Sequence, residues 1–234
     1  MKRLIVGAGM IFLFGVATPQ EKRYEIPFHF TQKDTLTVQV TASVDGDARV
    51  GFLRTKATGE VEQILRIRIL KVQPDGLWEM IVDCEQKKTT LKPAGLNRFA
   101  CPKEDNTFLM HPLNPFNVGI YPLGSYAVGD SYDYEWNWDN KGYKGWVRGH
   151  YKLVSVNKDI AEISANIHGY EEYSGALARK QENVFTGTLW TNIKTGKPLR
   201  LKGELHSKMT PSALISSLLE FDVKAKVQAE NKFP

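Results

Sequence analysis

The chain has 234 residues, a formal net charge of +5 and 11% aromatic residues. It carries no run of lysine and arginine longer than two, which excludes a nucleic-acid interface built on a basic block. Beyond the N-terminus no segment is apolar enough to span a bilayer, and the length allows one large β domain or two small ones.

The N-terminus reads as an export signal. Lys2 and Arg3 supply the positive start, and Leu4 to Ala17 is an unbroken run of apolar and small residues. Gly15 and Ala17 are small enough for a signal peptidase, so residues 1–17 are expected to be removed, leaving 18–234 as the mature chain. An uncleaved anchor is the alternative, but the run is shorter than the roughly 20 residues a span needs. The signal places the protein in the periplasm or outside the cell. Cys84 and Cys101 would meet an oxidising compartment there and are expected to pair. The bridge would close 16 intervening residues, worth roughly 3 kcal/mol in the chain-entropy model.

From residue 24 onward the dominant signal is alternation with a period of two, the mark of half-buried strands. A less regular strand is expected over 24–30. Leu36, Val38 and Val40 then share one face. A short irregular strand follows over 49–55, and Leu65, Ile67 and Ile69 alternate with Arg66 and Arg68. Pro74-Asp75-Gly76 is a turn, after which Trp78, Met80, Val82 and Cys84 line up.

Alternation fails from 85 to 130, where prolines stand at 93, 102, 112, 115 and 122. The stretch is nevertheless apolar, with Phe108, Met110, Phe116 and Tyr121 among its side chains. Long irregular connections inside compact domains are often lids or binding loops. This one is expected to cover a sheet face, either as a structural cover or as a lid over a ligand. It also marks a boundary between two halves, 18–105 and 106–234, if the chain divides.

Alternation returns strongly at 131–138. Tyr132, Tyr134, Trp136 and Trp138 fall on one face, and Asp133, Glu135 and Asn137 on the other. Asp139-Asn140-Lys141-Gly142 then turns the chain into a partner strand over 143–156. Trp146 and Tyr151 have opposite parity on that partner, so one of them points away from the core. Further strands follow over 160–167, 183–193, 199–209 and 221–227, joined by turns at 156–159 and 194–197. Helix signals are sparse. Thr210-Pro211-Ser212 could open a short apolar helix, and 174–182 could form another or remain a loop.

Candidate chemistry is thin. The five histidines are scattered, without metal-site spacing, and no nucleophile elbow or phosphate loop occurs, so neither a metal nor a cofactor is implied. Asp133 and Glu135 would stand about 7 Å apart on one strand face, a separation glycosidases use. The aromatics of that strand lie on its other face, so one cleft cannot hold both. Arg66, Arg68, Arg148, Lys152, Arg200 and Lys202 fall on wet faces and would allow contact with an anionic membrane surface.

Gly129-Asp130-Ser131-Tyr132-Asp133-Tyr134 and the segment from Gly187 to Pro198 resemble stretches of uncharacterised secreted β-rich bacterial proteins. By layout alone the chain resembles envelope proteins with a half-barrel sheet, of the lipoprotein-carrier type. That resemblance implies an apolar sheet face holding acyl chains, and carries no functional residue across.

The expected fold is all-β: an antiparallel meander of about ten to twelve strands forming a curved sheet or incomplete barrel, with one or two short helices. The expected function is non-catalytic. The protein would bind a lipid or other apolar ligand, or an envelope protein, on the concave face. Phe108, Met110, Phe116, Tyr121, Trp136, Trp138 and Trp146 are the candidate contacts. A carbohydrate-binding module or hydrolase using the 132–151 hairpin is the alternative, and a structural partner in an envelope assembly is a third.

Overall fold

The computed structural model describes residues 21–26, 35–50, 53–72, 78–92, 107–110, 124–140, 142–174, 179–211 and 219–232. These form twelve strands: β1 (Arg23–Ile26), β2 (Thr35–Val50), β3 (Leu53–Val72), β4 (Trp78–Thr89), β5 (Thr107–Met110), β6 (Gly124–Ala127), β7 (Ser131–Asn140), β8 (Tyr143–Asn157), β9 (Ile160–Tyr173), β10 (Arg179–Asn192), β11 (Pro198–Pro211) and β12 (Leu219–Lys232). Ten of them make one antiparallel sheet in the order β5-β4-β3-β2-β12-β11-β10-β9-β8-β7. The sheet is not closed into a barrel, because the order begins at β5 and ends at β7 without a pair between them. β1 and β6 form a separate antiparallel ribbon.

The topology is two meanders joined at the middle. One runs outward from β2 to β5, and the other runs outward from β12 back to β7. The β2–β12 pair joins the start of the chain to its end over a long register, from Thr37↔Lys232 to Val50↔Leu219. Short turns make this arrangement accessible. Lys158 and Asp159 connect β8 to β9, and the 193–197 turn connects β10 to β11 with Gly196 at φ 65°.

Parity decides which side of the sheet is dry. The dry side takes even positions on β2, β4 and β7 and odd positions on β8 to β12. Leu36, Val38, Met80, Tyr151, Leu153, Ile163, Phe185, Leu189 and Leu201 are all buried there. One apolar cluster runs along this face from β4 to β7, and takes in Ile26 and Tyr24 of the ribbon. A smaller cluster gathers Ala48, Ala57, Val61 and Leu91, with Val44, Phe221 and Val223 packed against it.

The strand readings over 36–40, 65–69, 78–84, 131–138, 143–156, 160–167, 199–209 and 221–227 fall inside observed strands, and that over 183–193 runs one residue past β10, into the turn at Ile193. One reading needs correction. The stretch 49–55 is not one strand but the junction of two, since Val50 pairs with Leu53. Strand β3 was only partly visible because its inward positions before residue 61 are small or polar: Thr55, Ala57 and Gly59. The two candidate helices are also not found among the described residues, which contain no helix. Residues 179–182 open β10 and Thr210-Pro211 close β11, both held by cross-strand pairing (Arg179↔Pro211, Lys180↔Thr210). Residues 175–178 and 212–218 lie outside the described residues, as do the signal at 1–17 and the irregular stretches 93–106 and 111–123.

Candidate functional site

The apolar face is not uniform along the strands. Toward the β7–β8 turn, the inward positions of β9, β10 and β11 change from aliphatic to polar together. On β9 the series Ile163, Ala165, Ile167 continues to Gly169, Glu171 and Tyr173. On β10, Leu189, Gly187 and Phe185 lead back to Asn183, Gln181 and Arg179. On β11, Leu205 is followed by Ser207 and Met209. Antiparallel register aligns these changes: Asn183 pairs with Ser207 and with Gly169, and Gln181 pairs with Glu171.

The resulting polar end is tightly bonded. Ser207 Oγ donates to Asn183 Oδ1 at 2.7 Å, and Gln181 Nε2 donates to the same oxygen at 3.3 Å. Glu171 is 6% exposed and its Oε1 accepts from Tyr143 Oη at 3.0 Å. A ladder of three rings and a guanidinium crosses four strands beside it. Trp138 lies 5.5 Å from Tyr143, Tyr143 stacks on Tyr173 at 4.6 Å, and the Arg179 guanidinium sits 4.4 Å over the Tyr173 ring. Burial, followed by the negative charge of Glu171, pushes the Tyr143 hydroxyl far above its ordinary range. The same two causes push Tyr173 up to about 12, opposed in part by Arg179. Arg179 Nε is buried and has no hydrogen-bond partner among the described residues. Desolvated donors of this kind are costly unless something else accepts from them.

Beyond the polar end, the aromatic half of the face is filled. Phe185 is 1% exposed and its ring lies over Gly187 and Gly203, where any Cβ would approach it to 2.6 and 2.8 Å. Tyr151 is fully buried and stacks on Tyr132 at 5.2 Å, which in turn stacks on Tyr126 of the ribbon at 4.2 Å. The Tyr132 and Tyr151 hydroxyls have no partner among the described residues.

The central β12–β2 pair differs. Its inward residues Phe221, Val223, Ala225 and Val227, and Val40, Ala42 and Val44, are only half-buried. Val40 and Val227 pack on the large cluster; Val44, Phe221 and Val223 pack on the small one. Ala42 and Ala225 belong to neither and occupy the seam between them.

The opposite face is a wet, paired surface. Asp133 Oδ1 lies 2.7 Å from His150 Nδ1, and Glu135 Oε1 accepts from Arg148 at 3.1 Å. His168 and His206 meet Glu182 and Asp222 in the same cross-strand fashion, and His206 holds the Asp222 carboxyl below its usual range. Arg66 pairs with Asp83 and Glu85. The basic residues of this face are therefore interleaved with acids, not gathered into a positive patch. A trough of about 500 Å³ lies on this side, floored by Thr41 and Ser43 and walled by Glu60, Glu62, Lys202 and Lys226. Its mixed walls select no one charge.

Of the candidate contacts, Trp136 and Trp138 stand on the apolar face. Trp146 does not join them. It lies on the wet face, with Arg148 4.8 Å over its ring and His168 packed edge-on at 4.7 Å. Its parity is that of Lys144 and Arg148, and Tyr151 is the partner-strand aromatic that turns inward. Tyr170 lies 6.3 Å from Trp146, but Arg148 already occupies the tryptophan's face, so the pair is a poor sugar platform. Phe108 and Met110 belong to β5, which pairs with β4. Phe116, Tyr121 and Cys101 lie outside the described residues; Cys84 stands on β4, and no described cysteine is a free thiol. Glu171, Asn183, Arg179 and Ser207 were missed as site residues. The signal was present: each keeps the parity of an apolar neighbour two residues away. No protein-family model matches the chain, and no curated protein sequence matches it either.

Proposed function

We propose that this is a non-catalytic exported protein, periplasmic or secreted, that shelters an apolar or amphipathic ligand, or the apolar part of an envelope partner, on the dry face of its sheet. The observation that carries this reading is the seam over β12 and β2. Seven small or apolar inward residues are left half-buried there, where the large and the small cluster meet. Removing such surface from water is worth about 25 cal/mol per Å², so a greasy occupant would stabilise both itself and the sheet. A catalytic reading is less well supported, because Asp133 and Glu135 are exposed, already bound by His150 and Arg148, and face away from the aromatics.

The reading is tested by extracting the purified full-length protein with organic solvent and identifying what co-purifies by mass spectrometry. Lipid or another apolar compound in near-stoichiometric yield supports it. An empty protein that also fails to take up hexadecanoate or hexadecanol from solution refutes it. The same samples, digested without reduction, test the proposed Cys84–Cys101 bridge through a linked peptide that dithiothreitol splits.

A further inference from the structure

We propose that the outer edge of β7 docks an extended segment of a partner protein, added antiparallel as the next strand of the sheet, with lysine or arginine at every second position and apolar residues between. Such a strand would bind whether or not the dry face shelters a ligand. β7 ends the large sheet, and among the described residues only β8 pairs with it. Leu153 N donates to Asp130 O just before β7 begins. Bonding alternates along an antiparallel strand, so Tyr132, Tyr134, Trp136 and Trp138 turn their backbone groups to β8. Ser131, Asp133, Glu135, Asn137 and Asp139 turn theirs outward. Edge strands are commonly kept from pairing by lysine, proline, a bulge or short length. Across its ten residues β7 has no lysine, no proline and no shift of register against β8.

Charge defines what fits this edge. The outward-turned residues carry three carboxylates, Asp133, Glu135 and Asp139, and no base. Asp133 meets His150 and Glu135 meets Arg148 on the inner side, yet their side chains stay 85% and 52% exposed, and a carboxylate can accept from further donors. Register disfavours a second copy. Opposite residues share a face, so a two-fold pairing of β7 with itself is centred on a residue. The four registers joining at least seven residues are centred on Tyr134, Glu135, Trp136 and Asn137. They set Asp133 against Glu135, Glu135 against itself, Asp133 against Asp139, and Glu135 against Asp139. Like charges directly opposite are destabilising. A basic strand turns each of these clashes into an attraction. Its apolar residues would lie beside Tyr134 and Trp136, which are only half-buried.

Fluorescence anisotropy with a labelled peptide as long as β7, alternating lysine with valine, tests this on the unaltered protein. The lysine peptide should bind at least about tenfold more tightly than the same peptide with glutamate for lysine. N-methylation of its lysines removes the N–H groups that face β7 and should weaken binding at least about tenfold; N-methylation of its valines should weaken it less than about threefold. Asp133→Asn combined with Glu135→Gln should weaken binding about tenfold and leave the circular dichroism spectrum unchanged. Equal effects of the two methylations would mean charge attraction without an added strand, and equal binding of the lysine and glutamate peptides would remove the charge preference; either overturns the proposal. So does failure of the lysine peptide to bind, which leaves the sheltering function standing. Sedimentation of the protein alone as a dimer that the lysine peptide splits would give the edge to a second copy and overturn the partner assignment.

Discussion

The two parts of the dry face solve the same problem in opposite ways. Across β7 to β11, large rings such as Phe185 and Tyr151 are fully buried, Phe185 lying over Gly187 and Gly203. Across β12 and β2, the inward side chains other than Phe221 are short, and burial stops halfway. The same parity rule built both regions, so the difference lies only in side-chain size. The aromatic half supplies rigidity, and the central pair supplies room. The strongest break in that contrast is therefore a truncation made once on each side. Phe185→Ala should cost about 4 kcal/mol in urea unfolding, because it removes a fully buried ring whose glycine bed cannot collapse to fill the space. Gly203→Ala should cost about 3 kcal/mol by forcing that ring and the neighbouring backbone aside, since the new methyl would also meet Thr186 O at 2.4 Å. Val227→Ala on the central pair should cost only about 1 kcal/mol. Equal losses at Phe185 and Val227 would erase the distinction.

A second, smaller effect belongs to the polar end. Tyr143→Phe removes the Tyr143 hydroxyl donor from the buried Glu171 carboxylate and should cost about 2 kcal/mol. The same tyrosines give an alkaline signature. An unfolded tyrosine ionises near pH 10. Tyr173 is held neutral up to about 12, and Tyr132, Tyr143 and Tyr151 are pushed up further, each by burial first. Above pH 10 the unfolded chain releases protons that the folded chain keeps, so stability present below that pH falls as pH rises through 12. Tyrosinate absorbance and circular dichroism followed together should show these four ionising only as the strands melt. Ionisation well before melting would mean that the ring ladder is open to water.

The central pair gives the reverse pattern, function without stability. Ala225→Trp places a ring in the seam between the two clusters. It should change unfolding free energy by less than about 1 kcal/mol, because the site has space, yet abolish uptake of hexadecanoate. A loss of stability like that at Gly203 would show that the seam is already full.

These contrasts also mark what could be read from residues alone. The strands were legible wherever inward positions were large, as at Tyr132 to Trp138 or Leu199 to Met209. They faded where inward positions were small, as from Ala42 to Ala48 and Thr55 to Gly59, because alternation is a contrast in hydrophobicity and alanine or glycine provides little of it. The polar end was illegible for a related reason. The strand readings stop at Ile167 and begin at Asn183, short of Glu171 and Arg179, which continue the pattern with polar side chains in dry positions. Only cross-strand register shows that three strands make that exchange at the same level. The pairing of β2 with β12 had no local signal either, since it joins segments nearly the full chain apart.

The smallest effect tests whether local strain serves this architecture. Lys158 holds φ at 54°, a conformation costing a side chain about 1 kcal/mol. Its turn has little freedom to relax. Asp159 O accepts from Ile193 N at 2.8 Å, and the Asp159 carboxylate meets Lys194 Nζ at 2.8 Å, so the β8–β9 turn is tied to the β10–β11 turn beside it. Structure that over-determines a residue in this way can hold a strained backbone. Lys158→Gly removes the Cβ penalty but adds entropy to the unfolded chain, for a net gain of about 0.5 kcal/mol. A shift of that size in the urea midpoint, with unchanged hexadecanoate binding, places the strain in the frame and not in the seam. A gain accompanied by weaker binding would mean that the turn's tie to its neighbour sets the spacing of the strands that the ligand rests on.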